Sequence, residues 1–437
     1  MSAQFGDDGV DMINLILQEE LEDDTIEQYA LLINQSALLS QQYISIPAKK
    51  GGSAPGRAPN LARNFQSGHD RIYNDYFSPN PVYPPDVFRR RFRMRRELFL
   101  RIHDALVAND KYFEQKPDAL GNQGLSSLQK ITAALRIFAY GVAGDAVDEY
   151  IRIGESTATK CLKRFATAVV NVFEKEYLRH PTEEDLERHL KINANRGFPG
   201  LFGSLDCTHW EWKNCPVAWQ GQFQDRSGSK SLIMEAIATK DLWIWHAYIG
   251  MPGSNNDINV VDRSPLLTNM LKGKAPNVEF SVNGNQYSMC YLLCDGIYPD
   301  WSIFMKTISE PQGRKRQLYA KMQEAVRKDV ERCFGVLQAR FALVRNPARL
   351  WDLETLRIVW KAAVIMHNMI VEDEAHLHDL DQDYMNEYHS VTVHRRPHRL
   401  LTFDMLLEST IDIRNPQLHF RLRDDLVEHL WSKHGNE

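Results

Sequence analysis

Apolar positions recur at helical spacing through the first two hundred residues and then change character. Phe88, Phe92, Phe99 and Ile102 fall four, seven and three apart, which predicts one helix face. Leu128, Ile131, Leu135 and Phe138 line a second helix, broken by Gly141 and Gly144. A short helix is expected at Ala146–Ile151. Gly154 and Ser156 then open a third that runs to Phe173 and carries Lys160, Lys163 and Arg164 beside Thr157 and Thr159. Helix, short helix, turn and basic helix over Ser126–Phe173 is helix-turn-helix-like, and many helical bundles share the pattern. From Phe198 the runs shorten. Leu201–Leu205 reads as a strand, Leu232–Ala238 and Leu242–Gly250 as a hairpin turning at Thr239-Lys240-Asp241, and Cys290–Cys294 as a buried strand. Lys321–Leu337 returns to helical period through Val326, Val330, Phe334 and Leu337. Leu356–Ile370 and Leu418–Trp431 follow as further helices. Strand, hairpin, strand, helix makes this part α/β.

The ends differ from the body. Met12–Leu21 and Ile26–Leu39 have amphipathic spacing, Pro47–Pro59 is a linker, and 372–387 is an acid-rich loop. The expected division is an acidic tail and linker (1–60), a helical domain (61–200), an α/β domain (201–374), and an acidic loop with a C-terminal helix (375–437).

The net charge of −5 conceals an asymmetry. Residues 1–48 hold nine acids and neither lysine nor arginine, which leaves 52 basic against 48 acidic residues elsewhere. The body is therefore mildly basic, as a nucleic-acid-binding protein can be. Arg89, Arg90, Arg91, Arg93, Arg95 and Arg96 interleave the first apolar face. They read either as a solvated face or as contacts to a DNA backbone or import factor. No apolar run reaches the roughly 18 residues of a membrane span. Asp7, Asp8 and Asp11 do not suit a secretory leader, and the six cysteines form no C-x-x-C pair and read as thiols.

Two predicted strands run into aspartates, Asp206 and Asp295, each followed by turn residues. Carboxylates at neighbouring strand ends repel one another unless a cation or a proton intervenes. Glu331, thirty-five residues beyond Asp295, lies beside the apolar stripe of its helix and is free to face the same rim. Three hard oxygen donors suit Mg²⁺ or Mn²⁺ better than zinc.

These residues stand in motifs. Gly203-Ser204-Leu205-Asp206-Cys207-Thr208-His209, Gly250-Met251-Pro252-Gly253-Ser254-Asn255-Asn256-Asp257, Asp295-Gly296-Ile297-Tyr298-Pro299 and Glu331-Arg332-Cys333-Phe334-Gly335-Val336-Leu337 occur in that order. With Arg340-Phe341 and Met366-His367-Asn368-Met369, they resemble the PIF/Harbinger transposases, most closely the plant branch, over roughly residues 60–374. The resemblance implies an RNase H-like core, a mixed sheet with flanking helices, behind the helical domain. It also implies a metal-binding catalytic triad of Asp206, Asp295 and Glu331, with cutting and joining of DNA at element terminal repeats and A/T-rich targets. A Myb-like DNA-binding partner, a homo-oligomer on DNA, and a nuclear protein that stays cytoplasmic without its partner are implied too. A domesticated descendant serving chromatin or transcription without cleavage is the alternative, and a general metal-dependent nuclease a third reading.

Around the triad, Asp257 is expected to cap a helix over Ile258–Leu267, with a role as an alternative acid as the second reading. His209 either meets substrate or braces the strand, and His367 is a core histidine. Trp210, Trp212 and Trp219 read as aromatic core, with stacking on flipped bases as the alternative, and Cys207 and Cys215 lack the histidine pair of a zinc site. Lys306, Arg314, Lys315, Arg316, Arg340, Arg345 and Arg349 are candidate phosphate contacts.

Overall fold

A computed structural model describes residues 61–118, 121–269, 277–375, 392–394 and 410–435. The tail helices, the Pro47–Pro59 linker and the loop from residue 376 lie outside the described residues. Residues Arg63–Glu437 form one compact unit.

The helical part begins with α1 (Phe65–Ile72), a π turn at Tyr73–Phe77, α2 (Pro85–Phe92) and α3 (Arg96–Asn109). Phe88, Phe92, Phe99 and Ile102 are all buried, but on two helices where the spacing predicts one. Arg93 ends α2 in a left-handed conformation, φ 66°. That conformation costs about 1–2 kcal/mol. The break lets Phe88 and Phe92 stack at 4.3 Å and brings Phe99 within 5.1 Å of Phe92 and 5.0 Å of Phe77. Such pairs contribute about 0.5–1.5 kcal/mol each, so together they outweigh the strained residue.

Helix α4 (Ser127–Tyr140) starts on a Ser126/Gln129 capping box and stops at Gly141, φ 62°. A 3₁₀ turn (Gly144–Val147) and a short helix (Asp148–Ile151) lead to α5 (Glu155–Tyr177). The expected succession is present. The third helix, however, runs for 23 residues and buries Ala158, Leu162, Phe165, Val169 and Phe173. Helix α6 (Glu183–Asn195) then delivers the chain to the sheet.

Five strands follow in the order β3-β2-β1-β6-β7. They are β1 (Leu201–Glu211), β2 (Ser231–Ala238), β3 (Ile244–Pro252), β6 (Tyr291–Leu293) and β7 (Phe304–Met305). The first three pair antiparallel, including the expected hairpin, and β6 and β7 add in parallel. Strand β1 does not end at Leu205 as its apolar run suggests. Its antiparallel partner continues from Ser204↔Ala238 to Glu211↔Ser231, so β1 keeps a full ladder along one edge after β6 has ended. A second sheet, β5-β4-β8, comprises β4 (Asn277–Val282), β5 (Asn285–Tyr287) and β8 (Thr392–His394). The longer helices that follow are α7 (Asp257–Arg263), α8 (Arg314–Arg340), α9 (Leu353–Asp373) and α10 (Pro416–His434).

Alternation along the strands sends residues to two cores. Trp210, Leu232, Met234 and Ala236 join Phe138, Phe165, Trp360 and Met366 in a core shared by the sheet and the helical part. Leu201, Leu205, Ile237 and Leu293 face the other way, with Leu190, Phe280 and Leu426.

Asn368 ties the first of these layers together. Its side chain accepts from Ile244 N at 3.0 Å and donates to Ile244 O and Tyr177 O, both at 2.8 Å, with no exposure to solvent. Removing it strands three buried backbone groups. We expect Asn368→Ala to cost about 2–4 kcal/mol in urea unfolding; a loss under about 0.5 kcal/mol would contradict this account.

Candidate active site

The parallel ladder sets the site. Ser204 on β1 is paired with Leu293 on β6. Asp206 and Asp295 each lie two residues further on, so they occupy equivalent positions on adjacent strands just where the pairing stops. Strand β1 passes straight through Asp206, whereas β6 has ended before Asp295. The sequence expectation of two strand-end aspartates holds for Asp295 and is corrected for Asp206.

Helix α8 supplies the third acid. Gln323, fully buried, donates to Cys294 O at 3.0 Å and Met305 O at 3.1 Å, which fixes the helix beside Asp295. Ser204 Oγ donates to Val326 O at 3.3 Å and fixes it to β1. Residues four apart on a helix share a face, so the row begun by Gln323 continues through Arg327 to Glu331. Arg327 Nη1 lies 2.8 Å from Glu331 and 3.8 Å from Asp206. The guanidinium therefore bridges two of the three acids. Arg327 was not singled out from sequence, although its place four residues before Glu331 was a usable signal.

Asp257 does not cap the helix as expected. The helix cap is Asn256, whose side chain accepts from Asn259 N at 2.9 Å, and Asp257 begins α7 itself. Freed from capping, Asp257 lies among the site acids. Burial and then the Asp295 charge push its carboxyl up, while His209 and Cys207 pull it down. Burial, aided by Glu331 and Asp257, pushes Asp206 up to about 6 against the pull of the Cys207 N–H and Arg327. Asp206 accepts from Cys207 N at 2.9 Å and Asp295 from Ile297 N at 2.7 Å. His209 is braced by Ser231 Oγ at 2.8 Å.

Desolvated carboxylates of one sign are short of positive charge, and all their donors are hard oxygens. This donor set fits Mg²⁺ or Mn²⁺. Among the described residues, no three His, Cys, Asp or Glu side chains are gathered as a ready metal cage, and Arg327 occupies the space between two of the acids.

The other candidates are dispersed. Arg89 pairs with buried Glu374 at 2.6 Å; Arg91 donates to Tyr76 and lies 4.0 Å over the Tyr83 ring; Arg93 lies over Tyr140. Arg95 pairs with Asp373 at 2.6 Å, and Arg90 is exposed. On α5, Lys160, Lys163 and Arg164 are exposed; Arg164 pairs with Asp110 at 2.8 Å, and Lys160 lies over Tyr112. Lys306 pairs with Asp300, Lys315 with Glu428, and Arg340 with Glu374. His367 is a core histidine, donating to Leu242 O at 2.8 Å and accepting from Arg340, and burial holds it down to about 3. Trp210 and Trp212 are buried, but Trp219 is 42% exposed and is not core.

The fold and site define an α/β protein with an acidic rim on a mixed sheet. Residues 175–378 match the family described as plant transposon protein, and residues 68–107 match a domain of unknown function. The first match supports a plant transposase-related family for a stretch that contains all three acids. No curated protein and no solved structure matches the chain.

Asp206 titrates at about 6 in the folded chain and near 3.9 when unfolded. The folded state holds the proton more tightly, so stability is greatest below about pH 4, falls between about 4 and 6, and stays low above that. In metal-free buffer, Asp206→Asn is expected to be stabilising by about 1–3 kcal/mol at pH 7.5, a gain that vanishes near pH 4. A variant less stable than the parent at pH 7.5 would contradict the electrostatic reading.

Proposed function

We propose that the chain is a DNA-cutting transposase of the PIF/Harbinger type, with Asp206, Asp295 and Glu331 as its acidic triad on an RNase H-like core. The observation that carries this reading is the shared register of Asp206 and Asp295 on adjacent parallel strands, with Glu331 on the helix row pinned next to them. An antiparallel three-strand meander extended by two parallel strands supports the RNase H-like assignment. The matched family supports a transposase-related role.

Asp206, Asp295 and Glu331 would hold Mg²⁺ or Mn²⁺, whose charge activates water and stabilises the departing 3′ oxygen of a phosphodiester. The chain's own contributions are positional. Gln323 holds the helix against the end of β6, so the acids on two elements keep a fixed separation. Arg327 screens Asp206 and Glu331 from each other, and its guanidinium can take a phosphate in exchange for Glu331. Cys207 N–H and Ile297 N–H hold the two aspartates in orientation.

Recognition of element ends belongs, in this reading, to a basic Myb-like partner, because the acidic first 48 residues repel DNA and the cations of α2 and α5 are largely engaged within the fold. The complex would act in the nucleus as an oligomer on DNA.

The test is cleavage of an end-containing duplex by the purified chain with its partner in Mn²⁺. Asp206→Asn, Asp295→Asn and Glu331→Gln should each lower the rate by at least about 100-fold while the circular dichroism spectrum is unchanged. Wild-type cleavage by any of the three would overturn the triad.

A further inference from the structure

Past the catalytic half of β1 the chain builds a second feature. Residues 212–230 loop out from the end of β1 and return into β2, and the segment preceding α9 is laid along their base. Ala348 N donates to Glu211 O at 2.8 Å, Trp212 Nε1 to Leu350 O at 2.8 Å, and Trp210 Nε1 to Asn346 O at 2.9 Å. Asn214 Nδ2 donates to Arg349 O at 2.6 Å. Buried Trp212 is the hub. The Trp219 ring lies 6.0 Å from it and stacks on Phe223.

On this rigid base three large apolar side chains face solvent: Val217 (83% exposed), Trp219 (42%) and Trp351 (65%). Around them Lys213, Arg226, Arg345 and Arg349 are exposed and make no ion pair among the described residues. Two nearby acids are held by their own loops: Asp225 accepts from Ser227, Ser229 and Ser231, and Asp352 caps α9 through Thr355. With exposed Glu211 they set three anions against these four cations, so the aromatic surface keeps a net positive charge. Indole faces stack on any base, and cations beside them meet the phosphates. A duplex keeps its base faces covered, so only an unpaired strand can use both.

We propose that the Trp219–Trp351 surface binds an unpaired stretch of DNA next to the acidic rim. The inference rests on the reading that this chain acts on DNA, and deepens it by naming the form of strand held. Asp206 and Glu211 are five residues apart on one strand, about 17 Å at about 3.3 Å per residue. A strand cut at the rim spans that distance in a few nucleotide steps.

The experiment is fluorescence anisotropy with the full chain, in EDTA, using a labelled oligothymidine of about 15 nucleotides and a duplex of equal length. The Trp219→Ala, Trp351→Ala double variant should bind the single strand about tenfold more weakly or worse, and the duplex nearly as before. Phenylalanine at both positions should restore most of the loss. Lys213→Gln with Arg349→Gln should flatten the salt dependence. Single-strand binding within about twofold of the parent, or an equal loss on duplex, would overturn the proposal. So would poly-glutamate binding that depends on the same tryptophans, which would assign the surface to an acidic protein segment. Because the assay contains no metal, tryptophan-dependent binding by a chain that never cuts would leave this surface standing and sink only the nuclease reading.

Discussion

Parallel pairing between β1 and β6 aligns Ser204 with Leu293, and the chemistry at the rim inherits that alignment. A shift of one residue on β6 would turn Asp295 to the opposite face of the sheet. Gln323 guards against it, bonding the carbonyls of Cys294 and Met305 from within the core. The same helix row then carries Arg327 and Glu331, so one set of buried hydrogen bonds positions both the acids and the cation between them. The arrangement is electrostatically costly: burial and like charges push Asp206 up to about 6. A stability-driven sequence would not gather Asp206, Asp257 and Glu331 with one arginine that reaches only Asp206 and Glu331, and such frustration is characteristic of functional sites.

The helical part and the sheet are joined by similar means. Arg89 and Arg95 reach Glu374 and Asp373 at the end of α9, while Asn368 and His367 bind the backbone around the β2–β3 turn. Much of the arginine cluster that looked suited to DNA thus has partners inside the fold. Among the described residues, four exposed cations without an ion pair lie instead beside Trp219 and Trp351, at the far end of the strand that bears Asp206.

Much of this was legible in the sequence, and the failures share a cause. The β2–β3 hairpin, α8, α9 and α10 follow from apolar period and turn chemistry, which are local signals. The break at Arg93 does not, because four aromatic rings from separate segments stabilise it and no glycine marks it. Strand β1 outran its apolar stretch because β2 supplies its later hydrogen bonds. Asp257 and Asn256 are adjacent and both suit a cap; only the fold decides which one caps. Trp219 looked like core by composition, and its exposure follows from the loop's packing on Trp212 and Phe223. The placement of Asp206, Asp295 and Glu331 was legible because each acid directly follows, or lies beside, an apolar stretch that must be buried. Arg327 stands out less, because its only mark in the sequence is its place four residues before Glu331.

The central claim is that Asp206 and Asp295, in register, with Glu331 beside them, form a divalent-metal site. Anomalous diffraction from crystals soaked in Mn²⁺ addresses it directly. The account predicts a peak bonded to carboxylate oxygens of both Asp206 and Asp295, with Arg327 withdrawn from Asp206. Manganese bound elsewhere, with Arg327 still bridging Asp206 and Glu331, would contradict it.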